Sequence, residues 1–241
     1  MRGTVVVTGA SGGIGRRVAQ RFAEGGAEVV ITGRSQERLQ RTARELGVRG
    51  IVCDAAVPSA VQRFAESVGP EVDVLVNMAG GNTDLAGGGA EEKSLEELAA
   101  QWQANLSANL LSAVLTTSAL RERLRPGGAV INVGSIGAEY AAGSYGAAKA
   151  ALAAWSAGLS AQLAPRGVTV NTVAPGYIAN TDFFQGQLSE QRRAQLIDST
   201  HDKRAGDPDD VTGLIEFLAS PHARHITGQT LHVNGGAYTT R

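Results

Sequence analysis

Thr4-Val5-Val6-Val7-Thr8-Gly9-Ala10-Ser11-Gly12-Gly13-Ile14-Gly15 decides how the rest of this chain is to be read. Its first five residues are a β-branched, almost wholly apolar run, as expected of a parallel strand covered on both faces. From Ile14 to Glu24 the pattern becomes that of an amphipathic helix. The glycines lie at the junction. A helix N-terminus presents unpaired N–H groups and a partial positive field, which favour a phosphate. Side chains would block that approach, so glycine belongs at the turn and at the helix start. No Gly-Lys-Ser/Thr follows, which disfavours a nucleoside-triphosphate loop. The strand–turn–helix context points to a dinucleotide, with Gly9, Ser11, Gly13, Ile14 and Gly15 against its phosphates.

Working outward, strands are expected at Thr4–Thr8, Glu28–Thr32, Gly50–Cys53, Val72–Asn77, Ala129–Val133, Val168–Val173 and Thr230–Val233. Helices are expected at Ile14–Glu24, Gln36–Leu46, Ala60–Val68, within Leu95–Leu124, at Ser144–Leu163 and at Asp209–Leu218. Such alternation builds right-handed βαβ units. The expected fold is α/β, a single-domain, doubly wound parallel sheet of Rossmann type. Ligands bind such sheets beyond the carboxyl ends of the strands, so residues just after each strand are the candidates for function. Two stretches on that edge break the pattern. Gly80-Gly81 through Gly87-Gly88-Gly89 reads as a flexible loop, and 177–205 is long and polar enough for a lid.

Composition narrows the classes. With 22 Lys+Arg against 23 Asp+Glu over 241 residues there is no basic excess for a nucleic-acid or anionic-membrane surface. The single Cys53 excludes an internal disulfide and a multi-cysteine metal site, and no metal is expected. Lacking a signal-like start or a long apolar run, the protein is expected to be cytoplasmic.

The second strand ends Thr32-Gly33-Arg34-Ser35, with no carboxylate to bind both ribose hydroxyls. Arg34 could instead fork onto a ribose 2′-phosphate, so NADP(H) is expected over NAD(H). Tyr145 and Lys149 lie four apart on a helix starting near Ser144, one turn from each other on a single face. A free phenol, with a pKa of ~10, is a poor acid–base group at neutral pH, and a neighbouring ammonium should pull it down. Ser135 follows the fifth strand through Gly134, where its hydroxyl can meet a substrate carbonyl and stabilise growing charge.

The glycine turn, Asn77-Met78-Ala79-Gly80, Ser135 and Tyr145-Gly146-Ala147-Ala148-Lys149 resemble the short-chain dehydrogenase/reductase family over nearly the whole chain. The ending Ile226-Thr227-Gly228-Gln229-Thr230-Leu231-His232-Val233-Asn234-Gly235-Gly236 is similar to that of bacterial 3-oxoacyl-[acyl-carrier-protein] reductases. The resemblance implies that Tyr145 is the acid–base, that Lys149 holds the nicotinamide ribose, and that Ser135 orients the carbonyl. It implies an asparagine in the long helix that serves a proton relay. Asn105 and Asn109 both stand there, and Asn109, seven residues past Trp102, has the family spacing. The cofactor contacts it implies are Asp54 and Ala55 at the adenine, Asn77, Ala79 and Gly80 along the adenosine ribose, and Pro175, Gly176, Ile178 and Thr181 around the nicotinamide, with Tyr145 and Lys149. Three departures stand out. The interval from Ser135 to Tyr145 is short, which tightens the loop 136–143. Met78 replaces a second asparagine, and Thr181 is one residue late because of Ala179-Asn180.

The expected activity is therefore NADPH-dependent reduction of a ketone to a secondary alcohol, or the reverse, on a small-molecule substrate. The resemblance suggests a 3-oxoacyl thioester on an acyl-carrier protein. A dehydrogenase of a free alcohol, sugar or polyketide-type ketone is the next enzymatic reading, and a catalytically silent dinucleotide sensor the reading from another class. Arg121, Arg123 and Arg125 form a basic cluster of the right sign for an acidic carrier. The helices around Asn109 and Tyr145 are apolar or small on much of their circumference, which implies a second subunit, and the resemblance implies a homotetramer.

Overall fold

The computed structural model describes residues 3–86 and 93–240. Among them, seven parallel strands form one sheet in the order β3-β2-β1-β4-β5-β6-β7. The strands are β1 Thr4–Val7, β2 Glu28–Gly33, β3 Arg49–Val52, β4 Val72–Asn77, β5 Leu124–Val133, β6 Thr169–Pro175 and β7 Thr230–Val233. Side chains alternate across a strand, so β1 sends Val5 and Val7 to one face and Val6 to the other. The first face is covered by α1 (Gly13–Glu24), α2 (Gln36–Leu46) and α9 (Pro208–Leu218), through Val18, Phe22, Leu39, Val211 and Ile215. The second is covered by α3 (Pro58–Ser67), α5 (Ser112–Leu120) and α7 (Ser144–Leu163), through Val61, Phe64, Leu120, Leu159 and Leu163. Both faces are closed, which is why the strands read as continuous apolar runs.

The strand order reverses at β1, which has β2 on one side and β4 on the other. Loops leaving β1 and β4 must diverge there, and the crevice between them is where a doubly wound sheet receives its ligand.

The long helix expected within Leu95–Leu124 is three pieces. α4 (Leu95–Leu106) opens with a capping box between Ser94 and Glu97, a π-helical turn runs Ser107–Leu111, and α5 follows. Leu124 already belongs to β5. A π turn inserts a residue into the helical register, which hydrophobic periodicity hides. Two helices were not expected: α6 (Gly137–Tyr140) just after Ser135, and α8 (Glu190–Asp198) inside the long polar segment. Of the glycine-rich loop, Thr83–Ala86 forms a 3-10 turn, while Gly87–Gly89 lie outside the described residues. Among the described residues no helix is long and apolar enough to cross a membrane.

Candidate active site

The glycine turn is built by close approach. Gly9 has φ +66°, and a Cβ on it would meet the Ala79 Cα at 2.7 Å, so the loops after β1 and β4 touch there. A Cβ on Gly15 would lie 2.7 Å from the Gly9 carbonyl oxygen. Gly13, the first residue of α1, has φ +54°, and its open side faces the Thr181 side chain. Thr8 ties the two loops together, its hydroxyl accepting from the N–H groups of Met78 and Ala79 at 3.0 Å each. The turn 9–13 carries no side chain larger than that of Ser11, and only side chains from other segments, Thr181 among them, reach over it, so its free N–H groups fit the pyrophosphate of a dinucleotide. Ser11 extends the cradle toward β2, its hydroxyl 3.2 Å from where a Cβ on Gly33 would lie, which places it beside the exposed Arg34. Asp54 stands at the end of β3, one carboxylate oxygen accepting from the Ala56 N–H at 3.0 Å, with Ala55 buried between them.

Asn77, at the end of β4, donates to Thr117 on α5 (2.9 Å) and to Asn132 on β5 (2.8 Å). Asn132 in turn donates to Ser156 on α7 at 2.7 Å. This buried amide chain locks β4, β5 and the two helices behind them, so Asn77 stabilises the central strands.

Ser135 leaves β5 and accepts from the Gly137 N–H at 3.0 Å, while the Ile136 N–H donates to the Pro175 carbonyl at 3.0 Å. These bonds turn the chain at once into α6, and α6 lies directly on α7. A Cβ on Gly146 would be 2.5 Å from the Ala141 carbonyl oxygen and 2.7 Å from that of Gly137. The glycine after Tyr145 is what admits so tight a loop. A Cβ on Gly137 would lie 3.3 Å from the Ser135 hydroxyl and 3.8 Å from the Tyr145 ring, so the two side chains converge there. On the open side the Phe183 ring meets the Tyr145 ring edge-on, with centroids 5.6 Å apart.

Lys149 lies one turn below Tyr145, with its Nζ 5.9 Å from the tyrosine ring centre, and donates to the Val133 carbonyl at 2.7 Å. It is 6% exposed and has no carboxylate beside it among the described residues, and loss of hydration pulls its pKa from 10.5 down to about 8. Burial pushes the Tyr145 phenol up to about 12, against the opposing effect of the Ser135 hydrogen bond. The expected depression of the phenol by the ammonium is therefore not realised. One helical turn brings the pair together, but the ammonium is turned to a backbone carbonyl and is itself destabilised.

Asn109 sits in the π turn at 1% exposure. Its amide grips the loop after β4, donating to the Gly81 carbonyl at 2.9 Å and accepting from the Gly81 N–H at 3.1 Å. A Cβ on Gly80 would be 2.5 Å from the Asn109 side-chain oxygen, so Gly80 is required by this contact. Asn105, one turn earlier and fully buried, donates to Asp84 at 2.7 Å and to Ser144 at 2.8 Å, and accepts from the Thr83 N–H. Asp84 also accepts from Ser144 and Gln101 at 2.7 Å each and from the Tyr145 N–H at 3.4 Å. Gly143, the residue before α7, offers no side-chain cap, and Asp84 supplies an anion to that helix end from sixty positions away. Neither Asp84 nor Phe183 had a signal in the sequence, because both act through contacts distant along the chain.

Past β6, the Gly176 N–H donates to the Val233 carbonyl and Ile178 pairs with Gly206. Asn180 takes φ +57°, a conformation asparagine tolerates, and this absorbs the extra residue before Thr181. Thr181 lands over the glycine turn, its side chain 3.7 Å from a Cβ placed on Gly13.

The basic cluster is elsewhere. Arg121, Arg123 and Arg125 stand at the start of β5, on the edge of the sheet opposite Ser135. Arg123 donates to the Ala65 and Val68 carbonyls at the end of α3, Arg125 pairs with Glu71, and Arg121 bonds Gln162. Sign and proximity in sequence were right for a docking patch, but in a parallel sheet the residues entering a strand lie a full strand length from those leaving it.

A parallel sheet with a glycine-lined anion cradle next to a serine–tyrosine–lysine group defines a dinucleotide-dependent oxidoreductase. Residues 9–238 match the family model described as Enoyl-(Acyl carrier protein) reductase. The 3-oxoacyl-[acyl-carrier-protein] reductase FabG of Vibrio cholerae serotype O1 is 39% identical over 97% of this chain and 96% of that enzyme. A short-chain dehydrogenase from Burkholderia cenocepacia J2315, solved in complex with NADP, superposes with a TM-score of 0.84 at 33% identity, over 97% of this chain and 96% of that one. The Pseudomonas aeruginosa RhlG/NADP active-site complex gives 0.86 at 28% identity, over 97% and 95%. The chain belongs to the short-chain dehydrogenase/reductase family.

Proposed function

We propose that the protein reduces a ketone to a secondary alcohol with NADPH, Tyr145 delivering the proton to the carbonyl oxygen. The observation that carries this reading is the group gathered at the ligand edge: Tyr145 and Ser135 converging beside Gly137, with the buried Lys149 one turn beneath the phenol. NADP(H) is the cofactor, and when bound it supplies the hydride. Gly9, Ser11 and Gly13–Gly15 hold its phosphates, Arg34 its 2′-phosphate, Asp54 and Ala55 its adenine, and Asn77, Ala79 and Gly80 its adenosine ribose. Pro175, Gly176, Ile178 and Thr181 flank the nicotinamide. Ser135 orients the substrate carbonyl and donates to its oxygen as charge builds. Lys149 holds the nicotinamide ribose and, while protonated, favours the phenolate that Tyr145 leaves behind. The Asn109 amide is committed to Gly81, so its place in a proton relay is through its main-chain carbonyl in the widened π turn.

Likeness to FabG supports a 3-oxoacyl thioester as substrate and an acyl-carrier protein as partner. The segment 177–205 acts as a lid, with Phe183 closing on Tyr145 and excluding water. The protein is a cytoplasmic homotetramer. In support, α7 exposes a stripe of small residues at Ala150, Ala154, Ala157, Gly158 and Ala161, and α4 exposes Leu95, Leu98 and Trp102. NADPH oxidation measured with acyl thioesters beside free ketones tests the substrate. Turnover of free ketones alone would replace the thioester, and cofactor binding with no turnover of either would leave a dinucleotide sensor.

A further inference from the structure

Arg38 has no part in the account so far, yet it lies over the glycine turn. It stands in the first turn of α2, and its guanidinium nitrogen is 3.1 Å from where a Cβ on Gly12 would be. Any side chain at position 12 would compete for that space. The guanidinium pairs with Asp182, which follows Thr181 in the segment after β6 and lies 3.7 Å from the same point on Gly12. The ion pair thus bridges from α2 across the cradle to the segment beyond β6. Arg34 is exposed just before α2, in no ion pair among the described residues, and Ser11 reaches the end of β2 beside it. Two guanidinium-bearing residues therefore flank the point where the adenosine ribose of a dinucleotide seated on the glycine turn must pass, and one of them is held by a carboxylate.

We propose that Arg38 is a second cation for the ribose 2′-phosphate and that Asp182 is its resident counter-ion, given up when that phosphate arrives. The inference rests on the NADP(H) reading above and deepens it. Both partners are solvent-exposed, 47% and 74% at the side chain, so their attraction is weak and readily exchanged. A phosphate near −2 offers Arg38 a better partner than a single carboxylate, in the forked geometry a guanidinium favours. Asp182 opposes the incoming phosphate by like charge, so it contributes to selectivity with the opposite sign. A ligand with only the 5′-phosphate, which the N–H groups of the glycine turn hold, brings no second anion for Arg38 to exchange for Asp182.

Calorimetric titration with adenosine 2′,5′-bisphosphate and adenosine 5′-monophosphate isolates the 2′-phosphate without any turnover. Arg38→Gln should weaken bisphosphate binding about tenfold or more and leave the monophosphate within about twofold. Asp182→Asn should tighten the bisphosphate about threefold or more, and by a factor that changes about twofold or more in the Arg38→Gln background, since the two act as a pair. Both residues are exposed, so the fold is not at risk. An unchanged bisphosphate-to-monophosphate ratio in Arg38→Gln overturns the proposal. If Arg34→Gln then removes the preference, the NADP(H) reading survives without Arg38. If the wild-type protein binds both ligands equally, the NADP(H) reading itself is lost.

Discussion

Replacing Lys149 by methionine should change how stability depends on pH, by an amount the structure fixes. Lys149 is buried with a carbonyl partner and, among the described residues, no counter-charge, and its pKa falls from 10.5 to about 8. At ~1.4 kcal/mol per tenfold change, keeping the charge inside at pH 7 costs about 3 kcal/mol. Because the folded-state pKa is the lower one, the unfolded chain holds more protons between about pH 8 and 10.5, and wild-type stability rises with pH across that window. By pH 10 the penalty has dropped below about 1 kcal/mol. Methionine has a similar unbranched shape and no charge, so its variant lacks this rise. It also leaves the Val133 carbonyl unpaired at a cost of about 1–3 kcal/mol, but that cost does not vary with pH. Urea unfolding of both cofactor-free proteins, at one protein concentration from pH 7 to 10, should show wild type gaining about 2–3 kcal/mol on Lys149→Met. Parallel stability–pH curves would refute the claim that the amine is destabilised by burial.

Phe183→Ala opens the phenol to water, and since burial is what raises Tyr145, its titration followed by phenolate absorbance should move from about 12 toward ~10. No movement would mean that Phe183 does not shield it. Asn105→Leu fills the same buried space but strips donors from Asp84 and Ser144 and leaves the Thr83 N–H unpaired, at about 2–4 kcal/mol. Thermal unfolding should fall by roughly 5–10 °C, and a change under about 2 °C would show that the network carries no stability. In the same variant kcat should drop more than the KM for NADPH rises, because the network holds Asn109 and the first turn of α7 rather than the phosphate cradle.

Much of this is legible in the sequence. The β-branched runs gave the strands, the glycine turn gave the crevice, and the positions after β1, β2, β4, β5 and β6 supplied the candidate residues, which the parallel sheet gathers on one edge. What stayed hidden has two causes. The π turn at Asn109 and the left-handed Asn180 are single-residue insertions, invisible to a period but decisive for aim. Asp84, Phe183 and Arg38 work through partners 61, 38 and 144 positions away, distances at which sequence spacing says nothing. The arginines at 121–125 misled for the converse reason, since neighbours in sequence need not face the site. The depressed phenol failed because adjacency on a helix does not specify hydration.

The direct test of the whole account is Tyr145→Phe, a change of one oxygen at the reacting group. With NADPH and a ketone substrate, kcat should fall by about 10²–10⁴-fold while the variant still binds NADPH. Turnover within about threefold of wild type would contradict the assignment of Tyr145 as proton donor, and with it the catalytic reading of this site.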